Sequence, residues 1–378
     1  MVYLDGTAGK KPISRAIKTF NNIVDNNWMN PSSTAYDGGM DAHRAYGYYR
    51  DRIAIMLGVD ESMIFFTSGA TEAINWILRC SGADMIITTE IEHPAVYNTV
   101  KYMKQTHKAL VKYVPVDYNG LVDKGAIGRT LWLANGLDLK VLVAIIAMNN
   151  ETGTVQQIKE LSEVVHKYPN AKLFCDTTQY IAHAPVDKMN FEDLGLDFAC
   201  ASSQKFGGFV GSGFAFIKDP DLMAPLLIGG NQQDGLRSGT MNLWGAATTC
   251  VALEESMKGR NEVIKREYDL RDLLIKHLDK DEFVNCVAEA NPSVISLTVE
   301  DCNANKLVAA LGDKGIYVSA GSACSTEGEK LSRTLTSIHM LPEHIRSTIR
   351  VSLGEDTTDK DILLLINALH RVKKFCVD

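Results

Sequence analysis

The sequence predicts an α/β fold: a large layer on a mostly parallel seven-stranded sheet, with a smaller α+β unit toward the C-terminus. Three observations predict it. Strand-like apolar runs and helix-like stretches alternate from about residue 40 to 217, the order that produces parallel sheets. A long helical region follows from 240 to 280. Beyond it the pattern changes to VISLTV, ANKLVAALGDKG, IYVSAG, STIRVSL and a closing helix. At 378 residues the chain also exceeds the usual size of one domain, so a large domain with a smaller companion is expected.

The strands read, in order, as MIFFT (63–67), DMIITT (84–89), LVKYVPV (110–116), KVLVAIIAM (140–148), AKLFCD (171–176), DFACAS (197–202) and GFAFIK (213–218). Between them, stretches such as ATEAINWILRC and QIKELSEVVHKY space their apolar residues as surface helices do. With 46% hydrophobic and 22% charged residues, and no apolar run near the ~18 needed to span a bilayer, a soluble protein away from membranes is expected. The opening MVYLDGTAGKK has neither the apolar core of a signal peptide nor the look of a transit peptide, which points to the cytoplasm. A net charge of −7, with no basic cluster longer than Lys10-Lys11 or Lys373-Lys374, argues against direct nucleic-acid binding.

Eight cysteines stand at 80, 175, 200, 250, 286, 302, 324 and 376, no two within four positions. No zinc pair, metal site or disulfide is therefore expected. Cys175 and Cys200 lie in short apolar runs, as small buried hydrophobes do. Cys324 is different: in VSAGSACSTEG it stands among small and polar residues that pack no core.

Open parallel sheets bind ligands beyond the carboxyl ends of their strands, so the residues just after each strand are the candidates. After MIFF comes TSGATEAIN, which starts a helix with Ala70 and Thr71 in its first turn, where free N–H groups favour phosphate. Helix capping is the plain alternative. No GxxxxGK[ST] loop exists and GGFVGSG lacks the GxGxxG spacing, so the phosphate is not that of an ordinary nucleotide. His93 follows DMIITT and precedes Pro94, while Asn149 and Asn150 follow KVLVAIIAM; helix-end and turn chemistry would also account for them. AKLFCD ends at Asp176, with Gln179 three residues on, and DFACAS leads to Lys205. A carboxylate and a lysine at neighbouring strand ends are either a salt bridge or the pair that serves pyridoxal phosphate, with the acid at the pyridinium nitrogen. Ser202 to Lys205 also matches S-x-x-K, but the SDN and KTG motifs that accompany it in penicillin-binding proteins are absent. GGNQQDGLRSGTMN, with Arg237, Ser238 and Thr240, suits a loop that meets phosphate or carboxylate. Arg350, inside the apolar strand STIRVSLG, needs a carboxylate partner from the protein or from a substrate.

YLDGTAG, NPSSTAY, TSGATEAIN, TEIEHPAV, MNNETGTVQ, CDTTQ, the Lys205 segment, GLRSGTMN, SAGSACST and IRVSLG occur in one order along nearly the whole chain. In these motifs the chain resembles the cysteine desulfurases, pyridoxal 5'-phosphate enzymes of the class V aminotransferase group. The resemblance implies the fold type I architecture of such transferases, with a large domain over 15–250 and a small α+β domain made of 1–14 and 251–378. It implies Lys205 as the Schiff-base lysine, Asp176 at the pyridine nitrogen, Gln179 at the phenolic oxygen and His93 stacked on the ring. Ala70, Thr71, Ser202 and position 204 would hold the phosphate, with Thr240 reaching across from the second subunit of a homodimer. Arg350 and Asn150 would take the substrate carboxylate. Cys324 would be the nucleophile, with His93 the candidate to accept a proton.

The implied activity converts L-cysteine to L-alanine and passes sulfur through a Cys324 persulfide to a protein acceptor, an iron–sulfur scaffold or a thiolation enzyme. Selenocysteine lyases and other class V aminotransferases share every cofactor residue, and a catalytically silent sulfur-transfer scaffold is the rival of another kind. Two departures stand out: Gln204 replaces the family's usual His, and Gln233 and Asp234 replace its acidic and basic residues before RSGT. The 25 residues between Cys324 and Arg350 resemble the longer-loop branch of the family.

Overall fold

A computed structural model describes residues 1–321 and 331–377. The chain opens on β1 (Val2–Tyr3), passes through α1 (Ser14–Asn26) and α2 (Asp37–Leu57), and enters the large sheet at β2 (Ile64–Thr67). Helices and strands then alternate through α3 (Ala70–Cys80), β3 (Met85–Thr88), α4 (Pro94–Gln105), β4 (Leu110–Tyr113), α5 (Lys124–Gly136), β5 (Val141–Ile146) and α6 (Ile158–Val165). β6 (Ala171–Asp176), the single-turn α7 (Tyr180–His183), β7 (Phe198–Ser202) and β8 (Gly213–Ile217) complete the series. The strand order is β2-β8-β7-β6-β5-β3-β4. Every pairing is parallel except those of β8, which runs antiparallel to both β2 and β7.

The apolar runs make a central sheet because helices cover both of its faces, and residues from the two faces fall into two separate core clusters. β5 is buried at all six positions. Register then does the positioning. Ile146 of β5 pairs with Asp176 of β6, so these two strands end level, and Asp176 pairs with Cys200 of β7, which runs two residues further to Ser202 on the same side of the sheet.

After α8 (Leu243–Met257) and α9 (Arg260–Lys276) come β9 (Glu282–Asn285), β10 (Val294–Val299), α10 (Ala304–Gly312), β11 (Ile316–Tyr317) and β12 (Ser319–Ala320). α11 (Arg333–Ser337), α12 (Pro342–Arg346), β13 (Thr348–Ser352) and α13 (Asp359–Val372) end the chain. An antiparallel sheet of order β12-β13-β10-β9 forms here, and β1 pairs in parallel with β11. Val2 and Leu4 accordingly join one hydrophobic cluster with residues between Leu270 and Cys376. Among the described residues, no helix is long and apolar enough to cross a membrane.

Candidate active site

A cavity of about 370 Å³ opens at the carboxyl ends of the large sheet, and Ala70, Thr71, His93, Asn150, Asp176, Gln179, Ser202, Gln204, Lys205 and Arg350 all line it. Thr240 does not line it and is exposed. Cys324 lies outside the described residues. A larger groove of about 780 Å³, lined by residues such as Gln157, Tyr180 and Tyr268, contains none of these side chains.

One wall is the start of α3. Its N-cap, Gly69, has φ +141°, a conformation that side-chain-bearing residues rarely adopt, and a Cβ there would stand 3.4 Å from Ser202 Oγ. Glycine thus brings the first turn of the helix against β7. Glu72 of that turn is held by Arg237, whose Nε donates to it at 2.8 Å, and by the Ser68 N–H at 2.8 Å. The Gln204 amide, half-buried beside Lys205, hydrogen-bonds no protein group among the described residues.

Asp176, only 3% exposed, ends β6. Its Oδ1 accepts from the Thr178 N–H at 3.0 Å and from the Cys200 thiol at 3.4 Å. Among the described residues no cation pairs with it, although a buried carboxylate ordinarily needs one. Lys205 closes the short turn after β7, and its Nζ donates to the carbonyls of Thr7 and Ala8 at 2.8 and 2.9 Å. Gln179 Nε2 donates to Thr7 O at 3.1 Å, while its buried Oε1 has no partner among the described residues.

His93 is the N-cap of α4, and its Nδ1 accepts from the Ala95 N–H at 3.1 Å. That bond leaves Nε2 as the nitrogen available for other partners. Burial pushes its pKa down; Asp176 opposes the shift, while Lys205 and Arg333 add to it. Burial thus favours the neutral imidazole, which with Nδ1 accepting carries its proton on Nε2. Arg350, 3% exposed on β13, donates to Asp5 Oδ1 at 2.8 Å, Ser319 Oγ at 3.3 Å and Asn150 O at 3.0 Å, and its buried Nε has no partner among the described residues. The protein itself thus supplies the carboxylate that a buried arginine requires, and the guanidinium still faces the cavity.

Several contributors carry no sequence signal of their own. Cys200 is fully buried, as its apolar run implies, but it also donates to Asp176. Glu92, next to His93 and buried, has its pKa pushed up to about 8 by desolvation and accepts from Thr89 Oγ1 at 2.7 Å. Glu151 accepts from Ser332 Oγ and Thr334 Oγ1, and Arg333 reaches the carbonyls of Glu90 and Glu92. Glu92 and Glu151 were within reach of a motif, since they stand beside His93 in TEIEHPAV and beside Asn150 in MNNETGTVQ.

A mostly parallel seven-stranded sheet whose strand ends gather a lysine, a buried carboxylate and a helix N-terminus defines the fold type I class of pyridoxal-phosphate-dependent enzymes. The Aminotransferase class-V family model matches residues 2–365. A "NifS/IcsS protein homolog" of Lactobacillus delbrueckii subsp. bulgaricus is 31% identical over 95% of this chain and 93% of its own length. "Cysteine desulfurase IscS" of Dictyoglomus turgidum is 30% identical over 98% of this chain and 94% of its own. A solved structure titled "NIFS-LIKE PROTEIN" superposes with a TM-score of 0.90 at 30% identity, covering 99% of both chains. The chain belongs to the class-V aminotransferase family, with the NifS/IscS-like cysteine desulfurases. Members of this family depend in general on pyridoxal phosphate.

Proposed function

We propose that the chain is a cysteine desulfurase that holds pyridoxal 5'-phosphate in the strand-end cavity, converts L-cysteine to L-alanine and retains the sulfur on Cys324 as a persulfide. The single observation that carries this reading is that Asp176 and Lys205 line one cavity: a buried carboxylate with no cation paired to it among the described residues, and an amine facing the same space. The other residues fit the same group. A pyridinium N–H would give Asp176 the cation it lacks among the described residues, and a ring hydroxyl would give a donor to Gln179 Oε1. The phosphate falls to the N–H groups of Ala70 and Thr71, the hydroxyls of Thr71 and Ser202, and the Gln204 amide. When bound, pyridoxal phosphate supplies an electron sink for the substrate's Cα.

The chain's own groups do the rest. Arg350 and Asn150 orient the substrate carboxylate, with Asp5 fixing the guanidinium. Lys205 takes the proton from Cα. The Cys324 thiolate attacks the substrate sulfur, the carbon–sulfur bond breaks with its electron pair left on the substrate carbon, and protons returned to Cβ and to Cα complete alanine. We assign the thiol proton to His93, which takes it on Nδ1 in exchange for the Ala95 N–H contact. The balance is L-cysteine plus the Cys324 thiol to L-alanine plus the Cys324 persulfide, with no external oxidant. We infer a homodimer in which exposed Thr240 serves the second copy's phosphate, a cytoplasmic setting, and a protein acceptor for the sulfur, an iron–sulfur scaffold or a thiolation enzyme.

The test is incubation with L-cysteine, with and without reductant. Alanine should form in both, and free sulfide mainly with reductant. Parallel reactions with selenocysteine and with added 2-oxo acids separate the lyase and aminotransferase alternatives. Absence of alanine from cofactor-loaded protein overturns the reading.

Gln204 gives a further prediction. A neutral amide holds phosphate less strongly than a charge-assisted donor by about 1 kcal/mol, so Gln204→His should bind pyridoxal phosphate equally or up to about fivefold more tightly. Equilibrium titration of the cofactor-free protein measures this. Weaker binding by a folded variant would mean that the pocket is built around the glutamine.

A further inference from the structure

Three consecutive carbonyls, those of Glu90, Ile91 and Glu92, lead into His93, and each is held by a side chain from a distant segment. Arg333 donates through Nη1 to Glu90 O at 2.8 Å and through Nη2 to Glu92 O at 3.2 Å. Asn149 Nδ2 donates to Ile91 O at 2.9 Å. The Arg333 guanidinium carbon also lies 3.7 Å from the centre of the Tyr97 ring. Tyr97 sits in the first turn of α4, and its N–H donates to His93 O at 3.0 Å. The arginine therefore grips the chain on both sides of His93.

Arg333 is itself fixed. It opens α11, where the flanking Ser332 Oγ and Thr334 Oγ1 donate to the two oxygens of Glu151 at 2.6 and 3.0 Å. The Glu151 N–H donates to Asn149 Oδ1 at 2.8 Å, which closes a ring of contacts back to Ile91. Two carbonyls two residues apart suit a planar fork of donors, and stacking on an aromatic face suits the same group. A lysine ammonium offers neither geometry.

We propose that Arg333 is a positioning residue for His93: by clamping the carbonyls of Glu90 and Glu92 and stacking on Tyr97, it sets how the imidazole faces the cavity. The inference rests on the role given above to His93. With Nδ1 tied to the Ala95 N–H, the ring can change its aim only if the turn beneath it moves, and Arg333 is what restrains that turn. The clamp also has an electrostatic side. Among the described residues, three charged groups act on the imidazole: Asp176 from β6, Lys205 from the turn after β7 and Arg333 from α11. Arg333 depresses the charged form, so its removal raises the pH at which His93 protonates.

Arg333→Gln and Arg333→Lys test this with two readouts. In cofactor-free protein, long-range proton–nitrogen NMR follows the His93 ring, identified by its loss in His93→Gln. Arg333→Gln should titrate at higher pH than wild type, while Arg333→Lys, which keeps a cation, should stay closer to it. With cofactor and L-cysteine, both variants should lose about tenfold in kcat with KM within about twofold, since positioning rather than substrate binding is impaired. A folded Arg333→Gln with wild-type titration and kcat overturns the proposal; if that variant does not fold, wild-type kcat in Arg333→Lys does so. Failure of the wild type to form alanine strikes the desulfurase reading alone, because the titration is read without turnover.

Discussion

Lys205→Ala should purify as a folded protein without covalently held cofactor and with cysteine turnover reduced by about 10⁴-fold or more. The absorption near about 420 nm that marks pyridoxal phosphate bound to a lysine should be missing, and borohydride should fix no cofactor to the chain. Loss of folding is not the reason to expect. The turn that carries Lys205 is closed by its backbone, with Phe206 and Gly208 donating to Ser203 O at 3.2 and 2.9 Å and Lys10 donating to Gln204 O at 3.0 Å. Removing the ammonium leaves the carbonyls of Thr7 and Ala8 short of one donor each, a loss on the order of 1 kcal/mol apiece. A Lys205→Ala variant that still yields a borohydride-fixed cofactor places the covalent bond on another residue and overturns the assignment.

The fold was legible where burial alone decides it. The seven apolar runs became the seven strands because both faces of the sheet are covered, so each strand except the half-exposed edge strand β4 reads as a nearly continuous hydrophobic segment. Their ends were less legible. KVLVAIIAM is apolar to Met148, yet β5 stops at Ile146, where the chain turns and the Asn149 N–H bonds Thr154 O. LVKYVPV likewise leaves the sheet after Tyr113. β9, with the sequence EFVN, has too short an apolar signal to be read, and it forms because β10 offers an edge. At the site, residues that follow a strand could be found one strand at a time, since a parallel sheet puts all those ends on one side. Partnerships across the chain could not. Arg350 meets Asp5 345 residues away and Arg333 meets Glu90 across 243, and periodicity records which residues are buried, not which loops meet.

Cys324→Ala should separate the chemistry of the cofactor from that of sulfur. Lys205, Asp176 and Arg350 do not involve the thiol, so the variant should keep its cofactor and the spectral change on adding L-cysteine. Breaking the carbon–sulfur bond needs a nucleophile at sulfur, so alanine and sulfide production should fall by about 10³-fold or more. No other cysteine is equipped to substitute. A thiol must ionise to attack, and an ordinary one does so near about 8.5. Burial raises all seven others: Cys250 to about 12, Cys286 and Cys302 to about 11, Cys175 and Cys200 far up, and Cys80 and Cys376 in the same direction. At neutral pH each is almost wholly protonated, and Cys175, Cys200, Cys250, Cys302 and Cys376 are also shut away from solvent. Without reductant, the wild-type chain should therefore gain about 32 Da, one sulfur atom held as a persulfide, on the peptide containing Cys324. If the added sulfur maps to one of the seven buried or half-buried thiols, or if Cys324→Ala makes alanine at the wild-type rate, the nucleophile is not Cys324 and the sulfur-transfer half of the proposed function falls, while the assignment of Lys205 and Asp176 to the cofactor stands.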